Sequence, residues 1–316
     1  HRAMQTPRRV LVIAYYFPPM GLSGVQRTLK FVKYLPQFGW QPTVLTVTPT
    51  GYYAQDYTLL EEIHHLHVEI ERVGSFDPNR FFRKKGVVKM PSERWRKILT
   101  FLSDAVFVPD NKIGWKRQAL KRAEELFAKK PFDVVFATAP PFTDFLIGKE
   151  LADKFHVPLV VDYRDPWHDY PYKYYPTPLH RWRNYVLEKR VLHSASRIIT
   201  TNRRVKELIL KRFKFIHYND VTILPQGFDP ADFTEGIVQV RNAEKMRITH
   251  AGLFYGDRTP RYFLEALRKL FAERPELKPH IEAYFVGNML DEHKAPVELL
   301  GVEVNVTRTR YLGHLG

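Results

Sequence analysis

Apolar positions along the chain fall into two recurring patterns. Val10–Tyr16 is a mostly apolar run without strict alternation, as expected of a strand buried on both faces of a parallel sheet. Gly24–Phe38 then places Val25, Leu29 and Val32 at helical spacing. Ser23 with Gln26 three positions on fits a capping box, and Pro36 and Gly39 end the helix. Pro42–Thr48 reads as the next strand, completing a βαβ unit. The alternation continues with helices over Trp115–Lys130, Thr143–Phe155, Leu179–Ala195 and Arg203–Phe213. Strands are expected at Phe132–Pro141, Val157–Trp167, "SRIITTN" and "DVTILPQGFD". Such alternation predicts an open parallel sheet with helices on both faces.

A polar, poorly patterned stretch at Thr234–Ala243 reads as a linker, after which a strand, a turn and a helix open a second unit. The expected partition is an amino-terminal Rossmann-like domain over 4–233, a linker over 234–246 and a second Rossmann-like domain over 247–316. Only 70 residues remain from Arg247 to Gly316, about half of a usual domain. The second domain is therefore expected to be truncated. Met4 reads as the natural start, with no signal-peptide h-region ahead of the first strand.

Composition narrows the classes. Hydrophobic residues make up 44% and aromatics 14% of 316 residues, enough to build cores. There are no cysteines, which removes disulfides and thiolate chemistry and fits a reducing, cytoplasmic compartment. No apolar run reaches the ~18 residues of a membrane span. The net charge of +15 is concentrated: Arg80–Arg122 holds 13 Lys/Arg against 3 Asp/Glu, a net +10. Phe81, Phe82, Trp95 and Phe101 lie among these charges. Two readings fit, a solvated basic helix with its loop or a patch for an anionic membrane surface. No nucleic-acid-binding motif accompanies the charge, so no nucleic-acid partner is expected.

Ligands of open α/β sheets bind beyond the carboxyl ends of the strands. The loop Gly21–Gly24 sits at such an end, just before a helix N-terminus. Its backbone N–H groups and the helix dipole favour an anion such as a phosphate. Arg27 could add a bidentate contact to that anion or form a salt bridge on its own helix. The dinucleotide fingerprint G-x-G-x-x-G and the Walker A pattern are both absent.

Five segments, in order, resemble glycosyltransferase family 4 of the GT-B fold. They are "AYYFPPMGLSGVQRTLKFVKYL", "FVPDNKIGW", "ATAPPFT" with "VPLVVDYRDPWHDY", "VTILPQGFDPADF" and "THAGLFYGDRTPRYFLEAL". The resemblance implies an α/β, GT-B-like fold: one Rossmann-like parallel-sheet domain plus the first part of a second. It implies transfer of a sugar from a nucleotide-diphosphate sugar to a glycan or lipid-linked acceptor, with retention. The nucleotide sugar is a substrate, and no cofactor or metal is implied. The expected setting is cytoplasmic, peripheral on the inner face of the plasma membrane, in cell-surface polysaccharide or glycolipid synthesis.

The same resemblance suggests site residues. Gly21, Ser23 and Gly24 match the first glycine loop. Arg164 stands where the family usually has His, beside Asp165, which could orient or deprotonate an acceptor hydroxyl, and His168 is a further candidate. Trp167 reads as core, Asp162 as structural and Thr143 as an N-cap. Gly252 and Arg258 resemble the second domain's glycine turn and basic diphosphate contact, with His250 and Tyr255 as weaker candidates. The family's E-x7-E pair is absent, so the chain as it stands is expected to have little transferase activity. Two alternatives remain open: a non-hydrolysing nucleotide-sugar epimerase of the same fold, and a non-catalytic acceptor- or partner-binding half-protein.

Overall fold

The computed structural model describes residues 7–21, 23–49, 55–76, 93–170, 173–233, 245–252, 254, 258–287, 302 and 306–309. The chain divides into two compact units, with the boundary after Phe228 and the short stretch Lys89–Ile98 grouped with the second.

The first unit is a seven-stranded sheet in the order β3-β2-β1-β4-β5-β6-β7, with every neighbouring pair parallel. Its strands are β1 (Arg8–Ile13), β2 (Trp40–Val47), β3 (Glu69–Val73), β4 (Val134–Ala139), β5 (Leu159–Tyr163), β6 (Ala195–Thr200) and β7 (Val221–Ile223). The helices are α1 (Ser23–Tyr34), α2 (Thr58–His64), α3 (Glu93–Val106, of which this unit holds the part from Leu99), α4 (Lys116–Lys129), α5 (Thr143–Phe155), α6 (Pro178–Ser194) and α7 (Arg203–Arg212). The apolar run of β1 is covered on both faces, with Leu11 and Ile13 buried on one and Val10 and Val12 on the other, while β4 and β5 bury Val135, Ala137, Leu159 and Val161 and leave Phe136 and Val160 half-buried. Gly148 of α5 lets that helix approach the sheet, since a Cβ there would sit 2.9 Å from Leu159 and 3.0 Å from Ala137.

Two elements fall in a stretch where the sequence pattern is weak. Helix α2 is short, and β3 is a half-buried edge strand, "EIERV", with charges at three of its five positions, a common way of protecting a sheet edge. Helix α1 passes into a 3-10 turn at Leu35–Phe38 rather than continuing as α-helix. It closes on Gly39, whose φ of 78° is left-handed.

The order of strands reverses between β1 and β4. From β1 the chain moves outward through β2 to β3, and from β4 it moves the other way. Such a reversal opens a crevice at the carboxyl edge of the sheet.

The second unit holds a parallel sheet ordered β10-β9-β8, from β8 (Met246–Ala251), β9 (Ile281–Val286) and β10 (Val306–Thr309). Helix α8 (Arg261–Glu273) connects β8 to β9 and buries Leu264, Leu267 and Phe271 against Ile281 and Phe285. Among the described residues, no helix is long and apolar enough to cross a membrane.

Candidate active site at the carboxyl edge of the sheet

The turns after β1, β4 and β5 converge at the crevice, and Arg164 ties them together. Its guanidinium donates through Nη1 to the Gly24 carbonyl and through Nη2 to the Pro140 carbonyl. Its backbone N–H reaches the Ala139 carbonyl at 3.0 Å. Thr201 Oγ1, after β6, donates to the Arg164 carbonyl at 3.1 Å. The arginine in the family's histidine position is thus a strut between loops, with its donors turned onto backbone carbonyls. Gly24 leaves room for this contact: a Cβ there would stand 3.0 Å from Arg164 Nη1, and the strut would have to give by a few tenths of an ångström.

Asp165 follows directly. It is half-buried, and among the described residues its carboxylate takes no hydrogen bond or ion pair. Burial pushes its carboxyl above the usual range, and the neighbouring Arg164 charge opposes that shift. A carboxyl of this kind can accept a hydrogen bond or a proton from a hydroxyl.

Beneath the crevice, Arg27 corrects the expectation of an anion contact. The side chain is 5% exposed and forks onto Asp162 of β5, with Nη2–Oδ1 at 2.8 Å and Nε at 3.1 and 3.2 Å from the two oxygens. Its Nη1 donates to the Pro225 carbonyl at 3.2 Å, and Thr138 Oγ1 completes Asp162 at 2.9 Å. The pair cross-links α1, β4, β5 and the segment after β7. The guanidinium is fully engaged within the fold.

His168 likewise turns inward. It is 8% exposed, and its Nε2 accepts from Arg181 Nε of α6 at 3.0 Å. Burial, then the positive charge of Arg212, lowers its pKa to about 4, so the ring is neutral at physiological pH. The catalytic candidate is thus buried, with its Nε2 engaged by α6. Trp167 is fully buried, stacked 4.9 Å from Phe142 and donating to Asn184 Oδ1 at 3.0 Å.

Thr143 is the first residue of α5 and not its N-cap, which is Phe142. The cap comes from outside the helix. Asp110 accepts the Thr143 N–H at 3.0 Å and its hydroxyl at 2.7 Å. The next residue, Asp144, is fully buried and accepts the Tyr15 N–H at 2.8 Å, fastening α5 to the end of β1. Burial raises its pKa well above the usual carboxylate range. The sequence signal for Asp110 was confined to the "FVPDNKIGW" resemblance. Asp144 carried only the ordinary preference for acids in a first turn.

Gly21 is buried at the start of the loop. Ser23 opens α1, whose first turn contains no acidic residue. The Ser23 side chain, and with it the expected capping box, lies outside the described residues, as do Tyr255, Phe81, Phe82 and the Trp95 side chain. In the second unit, Gly252 ends β8 with φ 152° and donates its N–H to the Val286 carbonyl at 2.9 Å. Gly287 packs against it so closely that a Cβ would lie 2.2 Å from the Gly252 carbonyl. Arg258 is exposed shortly before α8, and His250 stacks on Phe254 at 4.4 Å.

The architecture is that of GT-B-class α/β proteins, and comparison with solved structures agrees. The fold is similar to an α,α-trehalose-phosphate synthase (UDP-forming) from Burkholderia vietnamiensis, at 10% identity and TM-score 0.54, covering 98% of this chain and 74% of that one. It is similar to the Medicago truncatula protein UGT71G1 complexed with UDP-glucose, at 8% identity and TM-score 0.50, covering 96% and 72%. It is also similar to a proposed UDP-N-acetylglucosamine 2-epimerase from Listeria monocytogenes, at 11% identity and TM-score 0.52, covering 98% and 70%. Comparison with curated protein sequences finds no match. The model of the glycosyl transferase 4-like domain matches residues 24–227, and the chain belongs to that family.

Proposed function

We propose that the protein transfers a sugar from a nucleotide-diphosphate sugar to the hydroxyl of a glycan or lipid-linked acceptor at the crevice between β1 and β4. The observation that carries this reading is the unpartnered Asp165 carboxyl standing beside the Arg164 strut. The strut holds the Gly24 loop and the Pro140 turn in fixed positions, so Asp165 projects from a rigid frame, as positioning catalysis requires.

In this reading Asp165 orients the acceptor hydroxyl and takes its proton. The acceptor oxygen bonds to the anomeric carbon as the bond from that carbon to the diphosphate oxygen breaks, and the nucleoside diphosphate leaves. The proposed outcome is retention, for which the acceptor oxygen approaches the same face of the anomeric carbon that the diphosphate is leaving, so that one face both loses and gains the bond. Departing charge is met by the first turn of α1 and by the backbone of the glycine loop before it, without a resident metal. The proposed setting is the cytoplasmic face of a membrane, in cell-surface glycan or glycolipid synthesis.

The test is release of nucleoside diphosphate from a panel of nucleotide sugars, with and without a membrane extract as acceptor source, read as a small acceptor-dependent signal because the E-x7-E pair is absent. Acceptor-dependent release that vanishes in Asp165→Asn supports the proposal. Epimerised nucleotide sugar formed without acceptor would support the epimerase reading instead. Acceptor binding with no turnover on any donor would leave a binding module.

A further inference from the structure

Arg72, in the edge strand β3, turns its guanidinium onto the loop that follows β1. Nη2 donates to the Pro18 carbonyl at 2.6 Å, and Nη1 donates to the Val47 carbonyl at the end of β2 at 3.3 Å. The carboxylates of the same strand are engaged elsewhere. Glu71 lies on the opposite face of the sheet and pairs with Arg122 of α4 at 2.8 Å, and Glu69 accepts from Thr43 Oγ1 at 3.1 Å. Asp56, which touches the same loop by donating its N–H to the Pro19 carbonyl at 2.8 Å, turns Oδ1 onto the N–H and hydroxyl of Thr58. Among the described residues Arg72 therefore has no carboxylate partner. Burial lowers its pKa from the ordinary guanidinium value, with no acid opposing the shift.

Arg164 brackets the loop from the other side, through the Gly24 carbonyl, and it too forms no ion pair among the described residues. Two positive charges thus stand at the two ends of Pro18–Gly24, each bonded to backbone carbonyls alone. The loop's own negative ends are occupied, since the Phe17, Pro18 and Pro19 carbonyls each accept a hydrogen bond from within the fold. Of the five N–H donors of a guanidinium, Arg72 engages two with the protein. A half-buried cation without a counter-ion is costly, and a bound anion offsets that cost.

We propose that Arg72 and the Pro18 end of the loop hold an oxyanion, a phosphate or carboxylate carried by the acceptor. The sequence offered Arg27 as the cation of this loop, and the fold supplies Arg72 from a strand whose pattern is weak. Arg72 reaches the end of β2, whereas Asp165 follows β5. Those strands stand three sheet spacings apart, about 14 Å. The acidic group is thereby set back from the reacting hydroxyl by more than one sugar ring, which makes the acceptor an acidic or phosphate-bearing glycan. Its assignment to the acceptor rests on the sugar-transfer reading, whereas the oxyanion site does not.

Titration calorimetry of the full chain with inorganic phosphate and with glucuronate, at ionic strength fixed by sodium chloride, tests the site. Saturable binding of at least one probe is expected, and the stronger one tells a phosphate-bearing from a carboxylate-bearing acceptor. Arg72→Gln should weaken that binding about tenfold or more. Arg72→Lys keeps the charge, loses the fork and should bind severalfold more weakly than the parent, which preserves the test if the glutamine variant melts before it can be titrated. No binding of either probe by the parent, or parental affinity in these variants, would overturn the proposal. So would probe binding that Arg164→Gln removes and Arg72→Gln leaves intact. Probe binding without sugar transfer from any donor would keep the site and remove only the transfer reading. Transfer to uncharged acceptors at a rate that Arg72→Gln leaves unchanged would overturn the acceptor assignment and keep the transfer reading.

Discussion

The guanidinium of Arg164 donates to the carbonyl of Gly24, 140 residues earlier in the chain. Through this bond the turn after β5 sets the position of the loop after β1. Gly24→Ala puts a methyl group 3.0 Å from Nη1, so the strut must shift. We expect transferase activity to fall about tenfold or more, since small misplacements at a positioned site are costly, with stability changed by about 1 kcal/mol or less. Arg164→Lys, which cannot fork, should be equally harmful, and the double variant should be no worse than either single one. Steady-state kinetics with thermal melts checks all three.

Asp165→Asn keeps the shape of the side chain and removes its basicity. The carboxylate supports no hydrogen bond among the described residues, so the melting temperature should hardly move. Loss of a positioned base should lower kcat by about 10²–10⁴-fold with little change in KM. An equal loss of stability and activity would show that Asp165 is structural.

The Arg27–Asp162 pair predicts the opposite balance. Both side chains are buried, at 3% and 0% exposed, so removing one strands the other charge. Arg27→Met should cost about 3–5 kcal/mol in denaturant unfolding. Arg27→Met/Asp162→Leu should recover a large part of that loss, because neither charge is then left alone.

Two buried groups below the turn give opposite pH dependences. Glu188 is raised to about 8, first by burial, so it folds protonated. Its contribution is complete below the unfolded value near 4.5 and is lost as pH rises through 8. His168, at about 4, contributes fully above its unfolded value near 6.5 and loses that contribution as pH falls toward 4. Melting temperature should therefore decline from pH 6 to pH 8.5 in the parent and stay level in Glu188→Gln. Between pH 6.5 and pH 4 the parent should lose about 1–2 kcal/mol more than His168→Gln.

The parallel sheet was legible because its central strands are apolar on both faces, and that pattern does not depend on distant partners. Thr143–Phe155 reads as a helix from spacing and its Pro-Pro approach, and the structure gives the same limits. Helix α2 and strand β3 were hidden because charges interrupt the stretch and an edge strand buries little. Side-chain roles were less readable than elements. Arg27 could be seen at the head of a helix, but its partner lies 135 residues away, and only the fold brings them together. The same holds for His168, whose direction is set by α6.

Asp110 closes the first turn of α5 with a carboxylate borrowed from another segment, whereas the first turn of α1 contains no acid. The two helix starts flank the same crevice but differ in polarity. An anion arriving there would be repelled at one socket and welcomed at the other, so its long axis would be aligned before any side chain touched it. The fold would then act as an electrostatic keyway, favouring one orientation of an anion over the reverse.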